Sequence, residues 1–166
     1  MKRCLFALFA SCALLWQPAH ADRAQYRKPV RLSAQAADLY VEHQHDWSTP
    51  EHLAFIRAVK VDSSKELFSN SSPALTYLWI SPDAQYIVGL SNIKLQNQYQ
   101  LIVLTRGGEQ LLAADLTKLD WAKQRESVSN WIRWYKEPSP VIEIDEARRA
   151  VKVEDLNGEM RTFYFR

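Results

Sequence analysis

Between Leu75 and Ala113 the chain passes through four short apolar segments, each ended by turn-forming residues before it reaches the length of a helix. Leu75 to Ile80, Tyr86 to Ser91, Tyr99 to Thr105 and Gln110 to Ala113 are rich in β-branched and aromatic side chains, which suit a pleated backbone. Ser81-Pro82-Asp83-Ala84, Asn92 through Gln98 and Arg106-Gly107-Gly108-Glu109 separate them. Proline, glycine and short polar residues stand there because they permit the chain to reverse. Val141 to Ile144 reads as another short strand, and Val151 to Leu156 and Met160 to Phe165 flank Asn157-Gly158. That pair accepts the positive φ of a tight hairpin. Strands and helices do not alternate, so the crossovers of a parallel sheet have no sequence to form from. The expected fold is mainly β: an antiparallel meander or small sheet with one or two helices and a C-terminal β-hairpin.

Elsewhere the local signals are mixed. Ser33 to Glu42 suits a short helix with Ser33 as its cap. Asp115 to Ser127 suits a longer one, with an acidic cap and Leu116, Leu119 and Ala122 on one side. Ser48 and Glu51 have capping-box spacing with Pro50 between them, so a helix can start there. Yet Leu53 to Val61 alternates, with Leu53, Phe55, Val59 and Val61 on one side, and its β-branched ending favours a strand. Val128 to Tyr135 returns to strand until Pro138 and Pro140 break it.

The start of the chain bears on where the protein works. Lys2 and Arg3 precede an uncharged apolar run, Cys4 to Trp16, and Ala19-His20-Ala21 sets small residues where a signal peptidase reads. The pattern predicts a cleaved secretory signal over residues 1–21, with the mature chain starting at Asp22. The alternative is a lipoprotein anchored through Cys12, and Phe9-Ala10-Ser11 is a poor box for that. Cleavage takes both cysteines with it, which excludes disulfides and thiol chemistry from the remaining 145 residues. It also removes two of 21 basic residues, leaving 19 against 19 acidic ones. A neutral chain has no field to draw in nucleic acid or an anionic bilayer. Residues 22–29 read as a polar arm ahead of a single exported β-rich domain, placed in the bacterial periplasm.

One stretch carries a family resemblance. Trp79-Ile-Ser-Pro-Asp-Ala-Gln-Tyr-Ile-Val-Gly-Leu-Ser91, followed by Tyr99-Gln-Leu-Ile-Val-Leu104 and Gly107-Gly108, looks like one blade of a TolB-type or WD-repeat-like β-propeller. Ala84 stands where such blades usually carry glycine. The resemblance covers about forty residues, close to one blade period, and does not recur. A closed propeller takes at least four blades, and 145 residues hold at most three. What the resemblance implies is therefore local: a four-stranded antiparallel meander with a tight Ser-Pro-Asp turn, a binding scaffold that brings no catalytic residue.

Candidate chemistry is sparse. His43 and His45 lie two apart, with His52 seven further on and Glu42, Asp46 and Glu51 close by. On a strand the first two would point the same way, as metal ligands must. Their spacing matches no closed zinc pattern, and the expectation is a solvated polar loop with no metal. No Gly-x-Ser-x-Gly elbow accompanies the serines. Glu143, Asp145 and Glu146, or Glu154 and Asp155, supply the carboxylates a glycosidase needs, although in an alternating run they also form an ordinary solvent face. The aromatics say more. A strand over Ser129 to Tyr135 would put Trp131, Arg133 and Tyr135 on one face, with Asn130, Ile132 and Trp134 on the other. The first set has the composition of a protein-interface hot spot or a sugar platform; the other possibility is a strand covered on both sides. The sequence thus points to a non-catalytic periplasmic protein of accessory, inhibitor or immunity type. It would recognise another protein through Trp131, Arg133 and Tyr135 and need no cofactor. Two alternatives stand beside it: an envelope-directed hydrolase or metal-dependent enzyme using His43, His45 and His52, and an aromatic glycan-binding module.

Overall fold

The structure, a computed structural model, describes residues 29–46, 53–94, 96–118 and 131–166. The expected signal segment with its cleavage point before Asp22, the polar arm up to residue 28, the 48–51 capping box, His52 and residues 119–127 of the expected helix lie outside them. The described strands form three consecutive antiparallel meanders. The first contains β1 Val30–Ala36, β2 Leu39–His45, β3 Ala54–Lys60 and β4 Lys65–Ser71, in that order. The second contains β5 Tyr77–Ile80, β6 Tyr86–Leu90, β7 Leu101–Thr105 and β8 Gln110–Ala114. The third contains β9 Ile142–Asp145, β10 Ala150–Glu154 and β11 Met160–Tyr164, with β10 in the middle. The mainly β antiparallel fold is as the sequence predicts, and so is the closing hairpin, where Gly158 takes a φ of 83°.

The second sheet lies between the other two, and its sequence shows why. Leu101 and Val103 pack with Val88, Leu90, Val151, Val153 and Trp134 on the side of the third sheet. Ile102 and Leu104 pack with Ile87, Leu39, Val41, Ile56 and Phe68 on the side of the first. A strand covered on both faces has no polar phase, so β7 reads Leu-Ile-Val-Leu without interruption. Its neighbour β6 is buried on both faces in the same way, Ile87 towards the first sheet and Val88 and Leu90 towards the third. Gly89 is part of this packing: a Cβ there would come within 2.6 Å of Leu75 Cδ1.

Three sequence expectations need correction. Ser33 to Glu42 is no helix but the hairpin of β1 and β2, in register Ala36↔Leu39 with Ala37 at a φ of 47°. Its alanines favour helix locally, but Leu32, Ala34, Ala36, Leu39 and Val41 alternate, and the sheet buries that phase. Leu53 to Val61 is indeed a strand over Ala54–Lys60, yet its buried side is Ile56 and Ala58, while Leu53, Phe55 and Val61 are exposed. Pairing with β2 sets this phase, because His43↔Ile56 and Val41↔Ala58 must share a side. Val128 to Tyr135 is not a strand in its described part, residues 131–135. It makes two isolated bridges, Ile93↔Trp131 and Tyr135↔Asp155, and threads between the second and third sheets. Of the expected helix at Asp115, the described residues form a 3-10 turn, Leu116–Lys118.

The Ser81 to Ala84 turn and the four-stranded meander that the blade resemblance implies are both present. Ala84 takes a φ of 57° and is fully buried, so the methyl that strains the turn is packed into the core beside the first sheet. At the β7–β8 turn Gly108 has a φ of 87°, and a Cβ would come within 2.5 Å of the Phe68 ring. Gly108→Ala combines backbone strain with overpacking and is expected to cost about 2–3 kcal/mol in urea unfolding. Gly107→Ala, whose added carbon meets nothing nearer than Thr105 Oγ1 at 3.8 Å, should cost about 0.5 kcal/mol or less.

Candidate functional site

The second and third sheets part at the β5–β6 turn to leave an open cleft of about 420 Å³. Its aromatic wall is Trp79 from β5 and Tyr86 from β6; the facing wall is β9, residues Ile142, Glu143 and Ile144, continued by Glu146. The turn at its floor is held by one hydroxyl. Ser81 Oγ accepts from Tyr86 N at 2.9 Å and Gln85 N at 3.2 Å, and donates to Asp83 Oδ1 at 2.5 Å. That donation, aided by Gln85 N, holds the Asp83 carboxyl below the ordinary carboxylate range. The Tyr86 ring packs on Phe165, centroids 5.9 Å apart. Burial pushes the Tyr86 phenol up, and the Glu146 carboxylate beside it adds to the effect.

Not every acid near the cleft has the same work. Asp145 accepts from Arg148 N at 3.1 Å and pairs with Lys152 at 3.4 Å. Glu154 is held by Lys136 at 2.7 Å and Val141 N at 3.1 Å. Burial raises the Asp155 carboxyl, but bonds from Glu159 N, Arg161 and Asn157 N outweigh it and leave it below the usual range. These three build turns and ion pairs. Glu143 lies opposite Lys152 in the ladder, but that ammonium is directed to Asp145. Among the described residues neither Glu143 nor Glu146 has a salt-bridge partner. The cleft therefore carries three carboxylates, Asp83, Glu143 and Glu146, and no cation in its lining.

The sequence-predicted site residues are dispersed. Tyr135 is 2% exposed, with its hydroxyl 2.9 Å from Thr76 Oγ1, and burial pushes its phenol up to about 12. Trp131 is half-buried and Arg133 exposed, so the three do not form one exposed platform. His43 and His45 do share a side of β2, ring centroids 5.5 Å apart, but that side is core and not a solvated loop. His43 Nε2 lies 3.1 Å from Pro73 O, and burial pushes the ring down to about 4. Burial lowers His45 as well. Among the described residues no group of three His, Cys, Asp or Glu side chains has the geometry of a metal site. The sequence reading named Glu143 and Glu146 and, separately, the Trp79–Asp83 motif. Nothing in one sequence signals that segments sixty residues apart face each other.

No protein-family model matches the chain, and no curated protein matches it. A solved structure, oligogalacturonate lyase in complex with manganese, is similar at 14% identity and a TM-score of 0.44, covering 81% of this chain and 34% of that one. This chain thus spans about a third of that chain's length. The likeness is a weak, propeller-like arrangement of antiparallel sheets.

Proposed function

We propose that the protein is exported to the bacterial periplasm and there recognises another protein without catalysing a reaction, as an accessory, inhibitor or immunity-type factor. The observation that supports this reading best is the cleft itself: aromatic rings, a strand edge unpaired among the described residues, and carboxylates, on a frame of three sheets. Aromatic side chains beside a polar rim are the usual composition of a protein-recognition patch. Export is read from Lys2, Arg3, the apolar run and Ala19-His20-Ala21. Mass spectrometry of native protein should find Asp22 as the first residue; a retained Met1 or a lipid on Cys12 contradicts export. Recognition is tested by co-purification from periplasmic extract. The wild-type chain should retain one partner in stoichiometric amount, and Trp79→Ala should lose it while Trp131→Ala keeps it. No stoichiometric partner under any condition, or turnover of an envelope polymer by the purified chain, contradicts the reading.

A further inference from the structure

We propose that the cleft receives an extended basic segment of the partner protein, which adds to the open edge of β9 and sets a Lys or Arg side chain against Trp79 and Tyr86. The inference rests on the protein-binding reading above and names what that site selects. Three features of the cleft point to the same occupant.

The first is the strand edge. β9 borders its sheet, with β10 on one side and no described strand on the other. Val141 O accepts from Glu154 N at 2.9 Å, so the hydrogen-bonded pairs of this ladder fall at residues 141, 143 and 145. The backbone N–H and C=O of Ile142 and Ile144 therefore point away from β10, and both residues line the cleft. Ile142 is 8% exposed and Ile144 half-buried, yet a row of backbone groups that no described strand pairs is a template for another strand. The second is charge. Asp83, Glu143 and Glu146 line one cleft whose lining holds no cation, and among the described residues neither Glu143 nor Glu146 is in an ion pair, although Arg149 lies close enough to act on Tyr86. The third is the aromatic wall, since an ammonium or guanidinium over a Trp or Tyr face is attracted by the ring quadrupole. A neutral glycan would stack on the rings and donate hydroxyls to the carboxylates, but it has neither a cation to pair with them nor a main chain for the strand edge, and an acidic segment would be repelled. A basic segment uses all three features, and its main chain extends the meander.

The test is a titration of the ¹⁵N-labelled purified chain with an acetylated, amidated peptide of alternating lysine and valine. The matching glutamate–valine peptide and a neutral chito-oligosaccharide are run in parallel. The basic peptide should shift the amides of Ile142 and Ile144 and the indole N–H of Trp79 together. Affinity should fall about tenfold in E143Q/E146Q, and that of the wild type should fall on raising salt, as charge pairing open to solvent requires. The variant's remaining spectrum reports whether it is folded, and Glu143→Gln alone serves if the double variant is not. Equal binding of the glutamate peptide, shifts scattered away from β9, or no saturable shift overturns the inference. So does preferential glycan binding at Trp79, which would also replace the protein-binding reading by a glycan-binding one. A partner that co-purifies through Trp79 while the basic peptide fails to bind leaves protein recognition standing and overturns the basic segment alone.

Discussion

Trp134→Ala is expected to destabilise the protein by about 3–5 kcal/mol in urea or thermal unfolding, as truncation of a buried tryptophan does. Trp134 is 1% exposed, meets Tyr135 and Phe163 edge-on at 5.2 and 6.0 Å, and donates from Nε1 to Ser91 O at 2.8 Å. Its loss leaves a cavity between the second and third sheets and an unbonded buried carbonyl, two costs that add. Trp134→Phe keeps most of the volume but not the donor and should fall between wild type and alanine. Trp131, on the same segment but half-buried, should cost about 1–2 kcal/mol on the same substitution because less surface returns to water. Equal losses at the two positions would contradict the placement of this segment between the second and third sheets.

The second large effect is with pH. His43 is neutral in the fold, its pKa pushed by burial from 6.5 to about 4. The unfolded chain takes up a proton as pH drops through 6.5, while the folded chain does not until about 4. Stability is therefore fully present above pH 6.5 and is lost as pH falls towards 4, by about 3 kcal/mol at 1.36 kcal/mol per unit. His45, also lowered by burial, acts with the same sign. Asp145, Asp155 and Glu154 are depressed from ordinary values of 3.8, 3.8 and 4.5, so their contributions are lost at lower pH and leave the upper window to the histidines. Unfolding free energies at pH 7, 6, 5 and 4.5 should decline steadily for the wild type and less steeply for His43→Gln. The same slope in both proteins would show that His43 is not a buried neutral ring.

Much of the architecture could be read before the fold was known, for a physical reason. Short apolar runs cut by Ser-Pro-Asp, Gly-Gly and Asn-Gly leave the backbone little choice, and β5, β6, β7, β10 and β11 form where those runs lie. Where local and long-range preferences conflicted, the long-range ones won. The alanines of Ser33 to Glu42 favour a helix, but β2 must pair with β3 to bury Ile56 and Ala58. The phase of β3 itself was ambiguous because apolar residues occur on both its faces. Polar burial was not legible either. His43 and His45 read as a solvated loop, and Asn97 as a turn residue, yet Asn97 Oδ1 accepts from Ala74 N at 3.0 Å and its Nδ2 lies 2.9 Å from Ser91 Oγ. Such partners are set by tertiary approach, as is the meeting of Trp79 and Tyr86 with β9.

That meeting is the core of the functional account, and crosslinking in living cells tests it most directly. The photoreactive residue p-benzoylphenylalanine in place of Pro82, an exposed residue of the cleft lining, samples whatever enters the cleft. The same residue in place of Gln35, on the exposed face of β1, samples the far side of the molecule. The account predicts one discrete adduct from position 82, absent from position 35 and lost when E143Q/E146Q is added. Adducts from position 35 alone, or an adduct at 82 indifferent to the two carboxylates, would contradict it.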